Sequence, residues 1–347
     1  MRFGSDPRSD LLGGEPRPDK AAGAAASQAA IERLPADIAL AANRLAGHVR
    51  ETPLEFSPWF SEKTGANVWL KLENLQLTGS FKLRGAFNKL LTLDEQQREA
   101  GCVAASSGNH GAAVAYALRD MGVNGIVFVP EKSSSAKVDA IRRAGAEVRF
   151  HGRDGLETET FARRFAREEG MTYLSPYNDL AVIAGQGSCG VEIARQLPTV
   201  DALFVAVGGG GLIAGCGSFL KASRPGIEIV SCQPAASAVM TESVRAGRLL
   251  ELESEPTLSD GTAGGIEPEA VTFDICRRVV DRYEVVDEAA IADAMRQFID
   301  AQHQLIEGAA GVAIAALLQS GEDFRDRNVV VIVCGGNIAR DTLRDII

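Results

Sequence analysis

Lys82 stands in the stretch Leu77–Ala86, Leu-Thr-Gly-Ser-Phe-Lys-Leu-Arg-Gly-Ala, between two glycine-bearing turns. A lysine in a run of small residues that leads into an apolar helical pattern can be drawn into a pocket. Burial there disfavours the charged form, lowers the pKa from about 10.4 and makes the amine a usable nucleophile. Taken alone, the residue is equally one more solvated cation. Three further stretches offer it partners. Ser106-Ser107-Gly108-Asn109-His110-Gly111 supplies hydroxyls, an amide and backbone N–H groups at the start of a helical pattern, which suits an anion. Any one of these residues also makes a good helix cap, but six in a row exceed what capping needs. The run Gly208, Gly209, Gly210 and Gly211 follows apolar Leu203–Val207 and precedes Leu212-Ile213-Ala214. Four glycines cost backbone entropy, which suits N–H groups closing around a phosphate better than a merely tight turn. Gly209, Gly211 and Ala214 also fit a dinucleotide fingerprint, but the next strand ends at Ser231-Cys232-Gln233 without an acid for a ribose. The last stretch, Cys334-Gly335-Gly336-Asn337, is either a strand-ending turn or a place where a thiol meets a ring nitrogen.

These stretches need elements to hold them. Asn67–Leu72 alternates as a strand that delivers the chain toward Lys82, and Phe81, Leu83, Ala86, Phe87 and Leu90 predict a helix from the lysine onward. Beyond Cys102, strands at 125–129, 147–150 and 171–174 alternate with helices at 111–121, 135–144 and 156–168. Glycines 122, 145 and 170 stand where those helices must stop. Further strands are predicted at 202–207, 228–231, 282–285 and 328–333, and helices at 183–197, 212–222, 288–303 and 308–318. Pro256–Pro268 reads as a loop. Repeated βα units of this length call for an α/β fold with mostly parallel sheets covered by helices. Ile38–Ala46 has helical spacing ended by Thr52-Pro53, and order begins near Leu34. Residues 1–30 read as a disordered or loosely docked tail.

The 347 residues suffice for about two domains, with 46% hydrophobic and 24% charged residues, as in an ordinary globular chain. A net charge of −10 without a lysine-arginine block argues against nucleic acid, and no apolar run is long enough to span a bilayer. Asp6, Asp10 and Glu15 with no apolar stretch behind them do not suit a secretory signal. Six scattered cysteines without a Cys-x-x-Cys pair favour a reducing, cytoplasmic compartment and no metal site.

A phosphate cradle, an activatable lysine and a polar anion loop together suggest pyridoxal phosphate. The chain resembles the threonine dehydratase and serine racemase family of fold-type-II pyridoxal-phosphate enzymes. The matching residues are Lys71-x-Glu73-Asn74, Thr78–Ala86, Ser106–Gly111, Ala184-Gly185-Gln186-Gly187, Gly208–Gly211 and Cys334–Asn337, so the likeness runs from about Leu34 to Ile347. The resemblance implies two open twisted sheets of tryptophan synthase β type, with the cofactor in the cleft between a large domain (31–100 and 179–347) and a small mobile one (101–178). Lys82 would hold the cofactor as a Schiff base and later act as a base. Phe81, Asn109, Gly208–Gly211, Leu212 and Cys334 would bind it, Asn109 at the ring hydroxyl and Cys334 at the ring nitrogen. Ser106, Ser107, Asn109 and His110 would seat the substrate carboxylate, with Ser107 a second acid or base.

The implied reaction is elimination from a β-hydroxy amino acid such as threonine or serine, giving a 2-oxo acid and ammonia. A neutral thiol does not hold a ring nitrogen protonated, so the cofactor is a moderate electron sink and a β-hydroxyl can leave. Dehydration of a larger β-hydroxy amino acid and β-replacement of the cysteine synthase type are alternatives, and a nucleotide-binding module without chemistry is a third. A homodimer is the family expectation. Some relatives carry a divalent-cation site after the strand that follows the glycine loop. Here Gln233-Pro234-Ala235-Ala236-Ser237 stands there without acidic ligands, so no metal is expected. The chain stops just past Asn337, so a regulatory extension is not expected, and an arginine of racemase type is not evident in 155–160.

Overall fold

Apolar runs bounded by glycine or polar turns become ten strands among the described residues of the computed structural model, which describes residues 20–347. In chain order they are β1 (Leu54–Phe56), β2 (Asn67–Leu72), β3 (Cys102–Ala105), β4 (Gly125–Val129), β5 (Glu147–Phe150), β6 (Thr172–Tyr173), β7 (Ala202–Ala206), β8 (Glu228–Pro234), β9 (Arg282–Val286) and β10 (Asn328–Val333). Two sheets result. One has the order β1-β2-β10-β7-β8-β9 and is parallel except for the β1–β2 pair; the other, β5-β4-β3-β6, is parallel throughout. The α/β architecture read from the βα repeats is therefore the one observed.

Parallel strands covered on both faces must be apolar on both faces. β10 illustrates this, since Val329, Val330, Val331, Ile332 and Val333 are all buried. In the smaller sheet successive residues part company. Cys102, Ala104, Val127 and Val129 pack with Leu83, Phe87 and Leu118, whereas Val103, Ala105, Ile126 and Phe128 pack with Phe161, Ala162, Phe165 and Ala166 of the helix Gly155–Glu168.

Residues 20–33 by themselves are helical, part of the helix Lys20–Arg44, and residues 34–347 form a second compact unit. Of the disordered or loosely docked tail expected over 1–30, the part from Lys20 onward is helical, and residues 1–19 lie outside the described residues. The alanine-rich run has high intrinsic helix propensity, and even Pro35 is accommodated within the helix. That helix ends at Arg44, eight residues before Thr52-Pro53. Gly122, Gly145 and Gly170 do adopt left-handed φ of 66°, 106° and 66°. Short elements escape the sequence pattern: β1, the helices Pro58–Thr64, Glu95–Ala100, Val239–Ala246 and Val271–Val279, and the terminal Arg340–Ile346. None of these helices exceeds about two and a half turns, so the apolar spacing has little room to repeat.

Beneath the Lys82 helix (Lys82–Thr92) lies a buried set of charges. Arg84 donates to both oxygens of Glu73 (2.8 and 2.7 Å) and both oxygens of Glu192 (2.7 and 2.9 Å). Lys71 donates to Glu192 at 2.6 Å and to the Thr52 carbonyl at 2.7 Å. Two cations face two anions, so the group is neutral as a whole. Burial alone would raise the Glu73 pKa, but the Arg84 guanidinium, joined by Lys71 and the Thr52 hydroxyl, more than offsets this and holds it below 4.5. Replacing Arg84 by methionine leaves Glu73 buried without its main partner. The expected cost is about 3–5 kcal/mol, read as a shifted urea midpoint at neutral pH. Because the folded pKa of Glu73 is depressed, its contribution is fully present above the unfolded value and is lost as pH falls through the folded one, so the gap between wild type and variant must narrow in acid.

Candidate active site

Four strands of the two sheets release their loops into one cleft, at the carboxyl ends where parallel sheets bind ligands. The chain leaving β2 reaches Lys82, β3 leads into Ser106–Gly108, β7 into Gly208–Gly210 and β10 into Cys334. The cleft has a volume of about 3170 Å³, larger than the roughly 300–1,000 Å³ of a pocket for one small ligand, so a cofactor and a substrate fit together. Backbone bonds tie its floor. Phe81 N–H donates to Cys334 O at 3.1 Å, Gly336 N–H to Gly79 O at 2.9 Å and Glu307 N–H to Gly335 O at 3.1 Å.

Lys82 is the first residue of its helix, and its Nζ donates to Pro176 O at 3.0 Å. Its side chain borders the open cleft, yet the walls crowd the ammonium. Burial lowers its pKa from 10.5 to about 8, partly offset by the carboxylates of Glu307 and Glu159. Phe81 lies alongside, with Nζ 5.2 Å from its ring centroid. Burial and the nearby Glu307 push the Cys334 thiol well above its ordinary range, so it is neutral.

The helix Asn109–Met121 starts at Gly108 without a side-chain cap, which leaves its first N–H groups facing the cleft loop. Ser106 Oγ accepts from Gly108 N–H at 3.1 Å, and Ser107 Oγ lines the cleft with no hydrogen bond among the described residues. His110 is buried, and its Nε2 lies 2.8 Å from Leu174 O, so that nitrogen carries the proton. Burial and the Lys82 charge lower its pKa to about 3. The imidazole is therefore neutral with its one N–H committed, which leaves only the backbone of His110 to meet an anion.

Gly210 has φ 85° and begins the helix Gly211–Ser223 without a side-chain cap, and Leu212 follows with its side chain buried. The glycines have a second reason besides an anion. A Cβ on Gly209 would lie 2.4 Å from the Tyr177 ring, and one on Gly208 would lie 2.9 Å from the Thr262 backbone. Close packing thus accounts for the missing side chains, and the uncapped helix start offers N–H groups that suit an anion.

Asn109 Nδ2 lies 2.8 and 2.9 Å from the two Glu307 oxygens, and its Oδ1 accepts from Asn337 Nδ2 at 2.7 Å. Glu307, Tyr177 and Thr262 had no role in the sequence reading. Glu307 offers one signal, as the lone acid opening the small, apolar run Ile306–Leu318. Tyr177 and Thr262 offer none. Gln233, at the position where some relatives begin a cation site, has its amide committed to Thr241 and Val207, and no group of three metal-ligating side chains converges among the described residues.

A model of a family described as pyridoxal-phosphate dependent enzyme matches residues 45–335. The chain belongs to this family. An L-threonine ammonia-lyase of Thermotoga maritima is 39% identical over 302 residues, covering 87% of this chain and 75% of that one. Among solved structures, the processed form of threonine deaminase isoform 2 from Solanum lycopersicum superposes with TM-score 0.85 at 31% identity, covering 91% of this chain and 92% of that one. Maize serine racemase gives TM-score 0.84 at 31% identity, with 89% and 95% covered. The resemblance drawn from the motifs is therefore borne out, as is the cofactor.

The residues present fit pyridoxal phosphate. An uncapped helix start suits its phosphate, a crowded lysine suits its aldehyde, and a neutral thiol suits its ring nitrogen. Two outcomes follow for this pyridoxal-phosphate enzyme. Gly209→Ala should weaken cofactor affinity at least about tenfold, because the new methyl meets Tyr177; fluorescence titration of stripped protein checks this. Covalent capture of added cofactor by stripped protein should accelerate with rising pH and level off above about 8, since only the neutral amine attacks. A rate still climbing near 10.5 would show an unperturbed lysine.

Proposed function

We propose that this enzyme eliminates water from a β-hydroxy amino acid, threonine or serine foremost, and releases the 2-oxo acid and ammonia. The observation that carries the reading is the neutral Cys334 thiol set beside a lysine whose amine is partly deprotonated near neutrality. The name of the 39% identical relative supports it. Lys82 would hold the cofactor, with Phe81 beside it, the N–H groups of Gly208–Gly211 and Leu212 on its phosphate, Asn109 on its ring hydroxyl and Cys334 on its ring nitrogen. When bound, the cofactor supplies an electron sink for the pair released from Cα–H, and a thiol partner keeps that sink moderate enough for a β-hydroxyl to be expelled.

The N–H groups at the start of the helix Asn109–Met121, with Ser106 and Ser107, bind the substrate carboxylate. His110 contributes its backbone only. Lys82 Nζ would be the base that takes the Cα proton, a task suited to a pKa of about 8. Ser107 Oγ is the second proton carrier. The hydroxyl leaves as water, and one water is taken up again when the enamine product tautomerises and hydrolyses. The amino acid is thereby converted to a 2-oxo acid and ammonia with atoms in balance.

The same reading assigns residues 101–178 to a smaller lobe moving on 31–100 and 179–347, and makes the protein a cytoplasmic homodimer. Among the described residues no helix is long and apolar enough to cross a membrane, and all six cysteines are free. Release of 2-oxo acid from a panel of β-hydroxy amino acids tests the function. Lys82→Ala should cut the rate by about 10²–10⁴ and abolish the visible band of lysine-bound cofactor. Cysteine formed from O-acetylserine and sulfide, with no 2-oxo acid from any hydroxy amino acid, would replace the lyase reading by β-replacement.

A further inference from the structure

Glu307 has no part in the roles just given, yet it is the most unusual charge in the cleft. It is 6% exposed and forms no ion pair within 4.0 Å among the described residues. A buried carboxylate without a cation is costly, and a neutral glutamine would serve as a plain hydrogen-bond acceptor without that cost. What surrounds it is informative. Both its oxygens face Asn109 Nδ2 at 2.8 and 2.9 Å, and Oε2 also accepts from Asn337 N–H at 3.2 Å. Asn337 Nδ2 in turn donates to Asn109 Oδ1 at 2.7 Å and to Thr78 O at 2.9 Å. An ionised carboxylate only accepts, so the Asn109 amide has a single allowed orientation. Flipping it would set an oxygen against two carboxylate oxygens and an NH₂ against an NH₂. Asn109 is thereby held with its Nδ2 on Glu307 and its Oδ1 on Asn337.

The second consequence is electrostatic. The charged or titratable groups around Glu307 are Lys82 from its helix, Cys334 from the end of β10 and Asp260 from the loop before the helix Val271–Val279. Lys82 in turn is faced by Cys334, Glu307 and Glu159, and by the neutral His110. Burial raises the Glu307 pKa above 4.5 while the Asn109 and Asn337 donors and the Lys82 charge hold it back, and in its ionised form Glu307 joins Glu159 in favouring a proton on Lys82 Nζ.

We propose that Glu307 is a positioning residue with a second office as counter-charge: together with Asn337 it locks the Asn109 amide in one orientation, and its carboxylate favours the protonated state of the nitrogen at Lys82. This inference rests on the cofactor reading above. The test uses Glu307→Gln, nearly equal in size, with Glu307→Asp and Asn337→Ala. Two quantities are read against pH: the visible absorption of the lysine-bound cofactor, and, in stripped protein, the acylation of Lys82 followed by peptide mass mapping. Glu307→Gln should move both midpoints down by about one pH unit, because loss of a nearby negative charge eases loss of the proton. Glu307→Asp should restore at least half of that shift. Asn337→Ala should leave the midpoints in place but weaken cofactor affinity about fivefold, since it removes one hydrogen bond from Asn109 and no charge. A Glu307→Gln protein with wild-type thermal unfolding and unmoved midpoints overturns the counter-charge. Unchanged cofactor affinity in Asn337→Ala overturns the positioning, and that arm decides the matter if Glu307→Gln does not fold. A wild type without any lysine-bound band would instead refute the cofactor reading, while the stripped-protein Lys82 profile would still test Glu307.

Discussion

Arg84 cannot give up its proton, and it is wholly buried, so the fold must bring anions to it. That requirement draws together three pieces of chain. Glu73 comes from the turn after β2, Glu192 from the helix Leu180–Gln196, and Arg84 from the first turn of the Lys82 helix. Lys71, at the end of β2, then balances the second carboxylate. Such a group adds little stability over a well-packed apolar one, but it tolerates only one arrangement, since any displacement leaves a charge unpaired in the interior. Lys82 lies two residues before Arg84 and inherits that precision.

Above this anchor, the cleft divides its electrostatics by position. Cys334 and His110 are both neutral, one because burial disfavours the thiolate, the other because burial and the nearby lysine disfavour the imidazolium. Next to them stand a lysine and a carboxyl group that act on each other. Lys82 is held near the point of losing its proton, and Glu307 is answered by amide donors and by the lysine itself. The uncapped starts of two helices complete the arrangement with partial positive charge for anionic groups.

The glycine loop shows how one feature can answer two demands. Its composition reads as an anion cradle, and the uncapped helix start agrees. Its tight fit against Tyr177 and Thr262 would exclude side chains at Gly208 and Gly209 even without a ligand. The helix stops at Gly122, Gly145 and Gly170 were legible because a left-handed residue after a helix is a local requirement. The strand β1 was not, because three residues carry no period and pair only where β2 offers an edge. The helix from Lys20 was obscured for a different reason: the helix propensity of its alanines was set against a neighbouring Gly- and Pro-rich composition that argues for disorder.

By itself the sequence determined the reactive groups and their order along the chain: one lysine at a helix start, two loops with free N–H groups, and a cysteine after the most apolar strand. Motif spacing is local, and so are helix starts, strand ends and glycine turns. Which groups share a charge environment is not local. Asn109 and Glu307 are 198 residues apart, and Glu307 meets Asn109 and Asn337 only because sheet order sets β10 beside β2 and brings the carboxyl end of β3 opposite them. The partners of a buried carboxylate are decided by packing across the two sheets. Tertiary structure alone therefore revealed that the cleft sets a buried carboxyl group beside its lysine.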